Sequence, residues 1–266
     1  MSSLGSTRPS SAVTQPTLIS VPVGNNPARV RLLIYLKGLE SEIAMKTPAD
    51  YGGIASPEYR AMNPQGKIPV LLLPDGSTMF EAAVIAGYIA DRWRDSGPST
   101  LLAPTPELRA RAALINQVHD IYIASPNSSD PSVTANQGAM YKPVDIIDAP
   151  ARAGKVAELS KQLRVLEKLV VGPLCCGDFL TQADLALYPT FQFFRRLLPA
   201  VFGWEVGVSP TSYPKLTAWL EAMDGLPAAI RVKAEMDAAL DGWFESGRFT
   251  PIMDQVAANP ELRWTF

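Results

Sequence analysis

Few side chains in this sequence could carry out covalent or acid–base chemistry. Cys175 and Cys176 are its only cysteines and are adjacent, a spacing that rarely permits a disulfide and that fits neither a CxxC pair nor a Cys/His metal site. We interpret them as buried apolar residues of a protein in a reducing compartment. His119 is the only histidine, which excludes a zinc site built on several histidines, and we expect it to be a structural residue of a helix over 107–124. The sequence therefore predicts that the reactive group comes from a bound molecule.

Two predicted helix starts have polar residues that could cap the helix or bind a ligand. At the first, Asn26 is the expected N-cap, Pro27 occupies the first helical position and Gly38 ends the helix. At the second, Glu81 could complete a capping box with Thr78 if the helix began at Thr78, or it could belong to a binding site. The residues of this segment leave both interpretations of Glu81 open.

The elements around these helix starts alternate between strands and helices. Apolar runs and turn residues predict the order β-α-β-α-β-β-α, with the boundaries 18–23, 27–37, 39–45, 57–62, 68–73, 78–80 and 81–94. Pro22 indicates that the first strand ends early within its apolar run. A hairpin that closes a βαβ unit, with helices to cover both faces of the sheet, is typical of a compact α/β domain.

The rest of the chain is predicted to be helical. Apolar periodicity indicates helices over 108–124, 153–171, 181–198 and 213–240, with a long polar segment, 126–150, between the first two. Ser, Gly and Pro interrupt the pattern after residue 95, as in an interdomain linker. We therefore divide the chain into a disordered tail (1–16), an α/β domain (17–95), a linker (96–107), an all-helical domain (108–240) and a C-terminal extension (241–266) whose aromatic residues are expected to pack on the body.

The composition limits the classes of function. Of the 266 residues, 47% are apolar and 19% are charged, which is typical of a folded globular protein. The net charge of −2 argues against binding to nucleic acid or to an anionic membrane, because such proteins usually have a basic face. No apolar run approaches the ~20 residues that a membrane-spanning helix needs. We therefore expect neither a nucleic-acid partner nor a membrane partner.

The segment Asn63–Val70, with the sequence Asn-Pro-Gln-Gly-Lys-Ile-Pro-Val, is similar to the stretch that opens the third strand in cytosolic glutathione transferases. The resemblance implies a cis peptide bond before Pro69, and cis bonds occur essentially only before proline. It also implies that the backbone of Ile68 pairs with the cysteinyl part of glutathione and that Lys67 binds the glycyl carboxylate.

A second segment, Phe80–Ile85, is similar to the motif that receives the γ-glutamyl group in the same family. The resemblance implies that Glu81 binds the α-ammonium of glutathione, while backbone N–H groups at the helix start bind its α-carboxylate. Ala82 stands where the family usually has serine, and the lost hydroxyl contact would cost about 1–2 kcal/mol in binding.

Two segments of the helical half carry the same resemblance. Gly177–Leu185 is similar to a family motif in which Thr181 and Asp184 cap a buried helix reciprocally, and Tyr213–Trp219 resembles a later helix. The resemblance implies a thioredoxin-like N-terminal domain followed by an all-helical C-terminal domain, which is the glutathione transferase architecture.

In this family a Tyr, Ser or Cys between the first strand and the first helix activates the glutathione thiol, and none of the three occurs in residues 23–30. Gly24 lies where several classes have serine, and Asn26 matches the asparagine of some bacterial and fungal branches. Lowering a thiol pKa from about 8.5 to about 6.5 requires ~2.7 kcal/mol. A helix N-terminus supplies up to ~2 kcal/mol, and an amide N–H bond to the ionised sulfur about 1.5–3 kcal/mol. Asn26 is therefore our candidate for holding the thiolate, with Asn25 or a backbone N–H as the alternatives.

These features predict a glutathione transferase whose bound thiolate attacks a small hydrophobic electrophile, by conjugation or by displacement of an ether or halide leaving group. Glutathione is then a co-substrate, and no metal is expected. The alternative is a non-catalytic binding or regulatory protein that keeps the fold. Ala82 and the missing Tyr, Ser or Cys favour this alternative, whereas Ile68, Pro69 and Glu81 favour the enzyme. The resemblance further implies a cytoplasmic homodimer with a role in detoxification.

Overall fold

The computed structural model describes residues 13–97, 101, 103–126, 128, 130, 132–204 and 209–262. The chain divides between residues 100 and 101 into two compact units, a division inside the segment 96–107 that we assign to the linker. Residues 1–12 of the predicted disordered tail lie outside the described residues. Within the described ranges, no helix is both long enough and apolar enough to cross a membrane.

The first unit contains a four-stranded mixed sheet with the predicted thioredoxin-like order of elements. Along the chain these are β1 (Thr17–Ile19), α1 (Asn25–Lys37), β2 (Ala44–Lys46), a 3-10 turn (Pro48–Tyr51), α2 (Pro57–Met62), β3 (Val70–Leu72), β4 (Thr78–Phe80) and α3 (Ala82–Arg92). The strand order is β2-β1-β3-β4, with β1 and β2 parallel and the other neighbours antiparallel. Gly38 ends α1 in the left-handed conformation, with φ 65°, as expected.

The strands are shorter than their apolar runs predict. β1 ends at Ile19, early in its apolar run as Pro22 indicated, and the guanidinium of Arg31 donates to the carbonyls of Val21 and Pro22. These two carbonyls are therefore occupied and do not accept the hydrogen bonds that a neighbouring strand would donate. β2 begins only at Ala44, since residues 39–43 form a turn in which the N–H of residue 43 bonds the carbonyl of residue 39 at 3.0 Å.

Residues of the two central strands, β1 and β3, alternate between two buried faces of the sheet. On one face Ile19 and Val70 belong to a cluster of buried residues with Tyr59 of α2. Leu18 and Leu71 are their neighbours along the strands, have no exposed surface and point to the opposite face. Burial on both faces explains why these strands have continuous apolar sequences and no polar alternation.

The second unit is mostly helical. Its elements are α4 (Pro106–His119), a π-helical turn (Asp120–Ala124), a 3-10 turn (Gln137–Met140), α5 (Ala149–Leu169), α6 (Gln182–Phe202), α7 (Pro214–Asp224), α8 (Pro227–Glu245), α9 (Thr250–Ala257) and a 3-10 turn (Pro260–Leu262). The prediction of one helix over 213–240 is wrong. Leu226 adopts an extended conformation before Pro227, as residues before proline tend to do, and Pro227 starts a new helix.

The capping box predicted at the start of α6 is present. The buried carboxylate of Asp184 accepts hydrogen bonds from the N–H and the hydroxyl of Thr181, both at 2.8 Å. It also accepts from the N–H of Cys175 at 2.8 Å and from Nε1 of Trp219 at 2.9 Å. Asp184 therefore joins the preceding loop, α6 and α7, and it satisfies four donors that have no access to water.

The C-terminal segment 241–266 comprises the end of α8, helix α9 and the turn after it. Phe249 and Ile252 are buried, and the ring centroids of Phe249 and Trp243 lie 6.3 Å apart. Trp264 and Phe266, which the sequence prediction also assigned to a packed extension, lie outside the described residues.

Candidate functional site

One end of the sheet brings the predicted site segments together. Ile19 of β1 is paired with Val70 of β3, and Val70 is paired with Phe80 of β4, so the three residues form one row across the sheet. β1 and β4 end at this row, whereas β3 begins there. The register therefore places three segments at the same end of the sheet: 20–26, 67–69 and 81–82.

Helix α1 begins at Asn25, two residues before the predicted first helical position at Pro27, and Asn26 is not its N-cap. The first helical hydrogen bond joins Ala28 N to Gly24 O at 3.0 Å, so Gly24 is the N-cap and Asn25 is the first helical residue. Pro27 does not locate the start of the helix, because proline is tolerated throughout the first turn. Backbone N–H groups of that turn have no acceptor within the helix, so none is lost at a proline.

The two asparagines of this turn differ in accessibility. Asn26 is half-buried, and its side chain makes no hydrogen bond within the described part of the chain. Its backbone N–H lies in the first turn, at the positive end of the helix. Asn25 is only 9% exposed and already interacts within the protein. Asn26 can thus offer both a side-chain amide and a backbone N–H to an anion.

Position 24 has little room for a side chain. A Cβ built on Gly24 would lie 2.8 Å from Cγ and 3.2 Å from Cδ of Pro27. The φ of Gly24 is 175°, which is ordinary extended backbone, so the glycine is required by space and not by conformation. Any side chain at this position, a hydroxyl-bearing one included, would therefore require Pro27 to shift.

Arg31 holds the loop between β1 and α1, a role that the sequence did not reveal. Its Nη1 donates to Ser20 Oγ at 2.7 Å and to the carbonyl of Val21, and its Nη2 donates to the carbonyl of Pro22 at 2.8 Å. Arg31 is 4% exposed. Sequence patterns do not indicate such contacts, since the acceptors are mostly backbone carbonyls.

The Ile68–Pro69 peptide bond is cis, as the resemblance implied. The turn before it is fixed by two hydrogen bonds to the carbonyl of Lys67, from the hydroxyl of Tyr59 and from Nδ2 of Asn63, both at 2.8 Å. Within the described residues, no hydrogen bond uses the N–H or the carbonyl of Ile68. A ligand with a peptide backbone could therefore pair with Ile68, and the half-buried Lys67 lies beside it in the chain.

Glu81 is the N-cap residue of α3 and, of the residues described, the one non-glycine with a positive φ (φ 71°, ψ 115°). This conformation costs about 1–3 kcal/mol and concentrates at functional sites. Thr78 lies in β4 and donates to the carbonyl of Met62 at 3.0 Å, so the capping box with Glu81 is not formed. Glu81 is exposed and makes no cap bond to α3, and Ala82 is 6% exposed. The carboxylate of Glu81 is thus available to a ligand.

The cysteines and the histidine belong to the other unit and are structural. Burial raises the pKa of both the Cys175 and the Cys176 thiol, which keeps them protonated and unreactive. His119 is fully buried, with Nδ1 2.8 Å from Asp120 Oδ1 and Nε2 2.7 Å from Thr190 Oγ1. These contacts confirm the expectation of a satisfied structural histidine.

Two family models match this chain, and together they span more than half of it. Residues 25–92 match the N-terminal domain of glutathione S-transferases, and residues 149–222 match their C-terminal domain. Glutathione S-transferase F10 of Arabidopsis thaliana is 31% identical over 179 residues, which cover 66% of this chain and 79% of the relative. The chain belongs to the glutathione S-transferase superfamily.

Solved structures of this superfamily share the fold. Glutathione transferase F7 of Populus trichocarpa has a TM-score of 0.64 at 22% identity, covering 83% of this chain and 99% of its own. A maleylacetoacetate isomerase of Methylobacterium extorquens AM1, crystallised with malonate and glutathione bound, has a TM-score of 0.62 at 23% identity, covering 83% and 97%. The predicted architecture, thioredoxin-like followed by all-helical, is confirmed.

Proposed function

We propose that this protein is a glutathione transferase that holds the glutathione thiolate at the start of α1 for attack on a hydrophobic electrophile. The observation that carries the proposal is the row Ile19–Val70–Phe80, which places the three candidate segments at one end of the sheet. The relatives named glutathione S-transferase support this activity in general, and the isomerase crystallised with glutathione supports glutathione as the ligand.

Each charged or polar part of glutathione has a candidate partner in this arrangement. The exposed carboxylate of Glu81 pairs with the α-ammonium, and the first N–H groups of α3 bind the α-carboxylate next to Ala82. Ile68 supplies its backbone N–H and carbonyl to the cysteinyl residue, with Pro69 fixing the turn. Lys67 binds the glycyl carboxylate.

Asn26 holds the sulfur as a thiolate through its side-chain amide, assisted by the positive end of α1. An asparagine cannot accept the thiol proton, so that proton passes to solvent when glutathione binds. The thiolate then forms a C–S bond with an electrophilic carbon, and the leaving group, a halide or an aryl oxide, departs with its electron pair. Asn25 is less suited to this role because its side chain is buried.

The proposal includes a homodimer, which light scattering coupled to size-exclusion chromatography would test.

Glutathione binding is the first test of this function. We expect retention on immobilised glutathione and a rise of several degrees in the melting temperature with millimolar glutathione, since a ligand at 100 times its Kd stabilises by about 2.7 kcal/mol. Free glutamate at the same concentration controls for ionic effects. Conjugation of an aromatic halide then tests the chemistry. Absence of both retention and thermal stabilisation would rule the proposal out.

A further inference from the structure

The loop that precedes the candidate thiolate site is fastened to α1 by one forked side chain. Three acceptors of the Arg31 guanidinium lie on consecutive residues: the Ser20 hydroxyl and the carbonyls of Val21 and Pro22. Ser20 is itself tied to the sheet, because its N–H donates to Lys46 O at 2.8 Å. The loop is therefore fixed between the pair of strands β1 and β2 and the second turn of α1.

We propose that Arg31 is a positioning residue for glutathione activation: it sets the path of residues 20–24 and thereby the direction in which Asn26 presents its amide. The proposal rests on the proposed function and extends it to a residue outside the ligand contacts. Gly24 and Asn26 follow the fastened residues within four positions, so a displaced loop changes the position of the first turn of α1. A thiolate donor must be held within about 0.5 Å of its productive place to act.

The chemistry of the side chain suits this role. A guanidinium presents its N–H donors in a rigid planar fork, so two nitrogens can hold several acceptors in one fixed geometry. A lysine ammonium keeps the charge but has no fork. Arg31 is also 4% exposed, so water does not readily replace these hydrogen bonds. Arg31 can thus impose a geometry that lysine cannot.

The same helix supplies a matched control. Lys37 is also 4% exposed, and its Nζ donates to two backbone carbonyls, Trp93 O and Ser96 O, both at 2.9 Å. Those carbonyls lie at and beyond the end of α3, away from residues 20–26. Replacing Lys37 removes a buried, carbonyl-bound cation of α1 without touching the loop.

The experiment compares Arg31→Met, Arg31→Lys and Lys37→Met in the full chain, with two readouts. Hydrogen exchange in the peptide 20–26 should rise at least about tenfold in Arg31→Met, which corresponds to a local loss of ~1.4 kcal/mol, and should not change in Lys37→Met. The pKa of the bound glutathione thiol, read from thiolate absorbance, should rise by about one unit in Arg31→Met and should not change in Lys37→Met. At a pH well below that pKa, a rise of one unit is a tenfold loss of thiolate. Arg31→Lys should retain most of the thermal stability but leave the thiol pKa raised.

Three results would overturn the proposal. One is equal exchange in the peptide 20–26 for Arg31→Met and Lys37→Met. Another is an unchanged thiol pKa in Arg31→Met, and the third is full recovery of that pKa in Arg31→Lys, which would assign the effect to charge. If Arg31→Met does not fold, Ser20→Ala removes one acceptor and should shift both readouts in the same direction by a smaller amount. If the wild-type protein does not bind glutathione, the proposed function fails, and the exchange readout alone decides whether Arg31 positions the loop.

Discussion

Replacing Gly24 with alanine tests whether Pro27 occupies the space that a side chain needs at the site. The added Cβ would lie 2.8 Å from Pro27 Cγ, whereas carbon atoms pack best at about 3.5–4.0 Å. Overpacking of this kind typically costs 1–3 kcal/mol. Because φ at position 24 is compatible with alanine, the loss of unfolded-state entropy returns about 0.4–1 kcal/mol. We expect Gly24→Ala to lower the free energy of unfolding by about 1–2 kcal/mol.

The same substitution should behave differently without the proline ring. Pro27→Ala removes Cγ and Cδ, the atoms that the new Cβ would meet. In that background Gly24→Ala should be neutral or stabilising by up to ~1 kcal/mol. The double-mutant cycle, measured by urea denaturation followed by circular dichroism, should therefore give a coupling of at least about 1 kcal/mol.

Additive effects of the two substitutions, within ~0.5 kcal/mol, would refute the steric explanation of Gly24. A normal stability of Gly24→Ala in the wild-type background would refute it as well. Either result would mean that position 24 accepts a side chain without a steric conflict with Pro27.

Four other substitutions have expected outcomes. Asn26→Ala should raise the pKa of the bound glutathione thiol by about 1–2 units, the equivalent of one charge-assisted hydrogen bond, as read from thiolate absorbance; an unchanged pKa would move the role to Asn25 or to the backbone. Glu81→Gly should relieve the strain of the positive φ and so raise the melting temperature, and it should weaken glutathione binding measured by calorimetry. The absence of both effects would contradict the account. Asp184→Ala leaves four buried donors without an acceptor and should lower the free energy of unfolding by at least about 3 kcal/mol in urea; a loss below ~1 kcal/mol would show that water replaces the carboxylate. Burial raises the pKa of Tyr59 to about 12. The contribution of this shift to stability is therefore complete below the unfolded pKa of about 10 and is lost as the pH rises toward 12. Tyr59→Phe should make the free energy of unfolding less dependent on pH between about 10 and 12.

The order of elements could be predicted because the sequence marks most element ends with proline, glycine or turn residues. The short strand over 78–80 and the helix over 57–62 have the predicted boundaries. The break before α8 had a signal as well, since Gly225 and Pro227 flank Leu226, but the apolar periodicity continues across it and favoured a single helix. Periodicity describes a buried face and does not report where the backbone turns.

The candidate site could be proposed from the sequence in its residues but not in its geometry. The motifs around Pro69 and Glu81 predicted which segments bind a ligand, whereas the row that aligns these segments follows from strand register. Asn26 was predicted as an N-cap because Pro27 suggested the first helical position, and only the bond from Ala28 to Gly24 locates the true start. The contacts of Arg31 with the loop had no sequence signal, because its acceptors include backbone carbonyls that any residue provides.

The most direct test of the central claim is a titration of glutathione bound to the wild-type protein, followed by the ultraviolet absorbance of the thiolate. Free thiols of this kind have a pKa near 8.5. The account predicts a pKa lowered toward about 6.5, because the helix start and the Asn26 amide together supply the ~2.7 kcal/mol that this shift requires. Bound glutathione that titrates with the pKa of the free thiol would contradict thiolate activation at the start of α1.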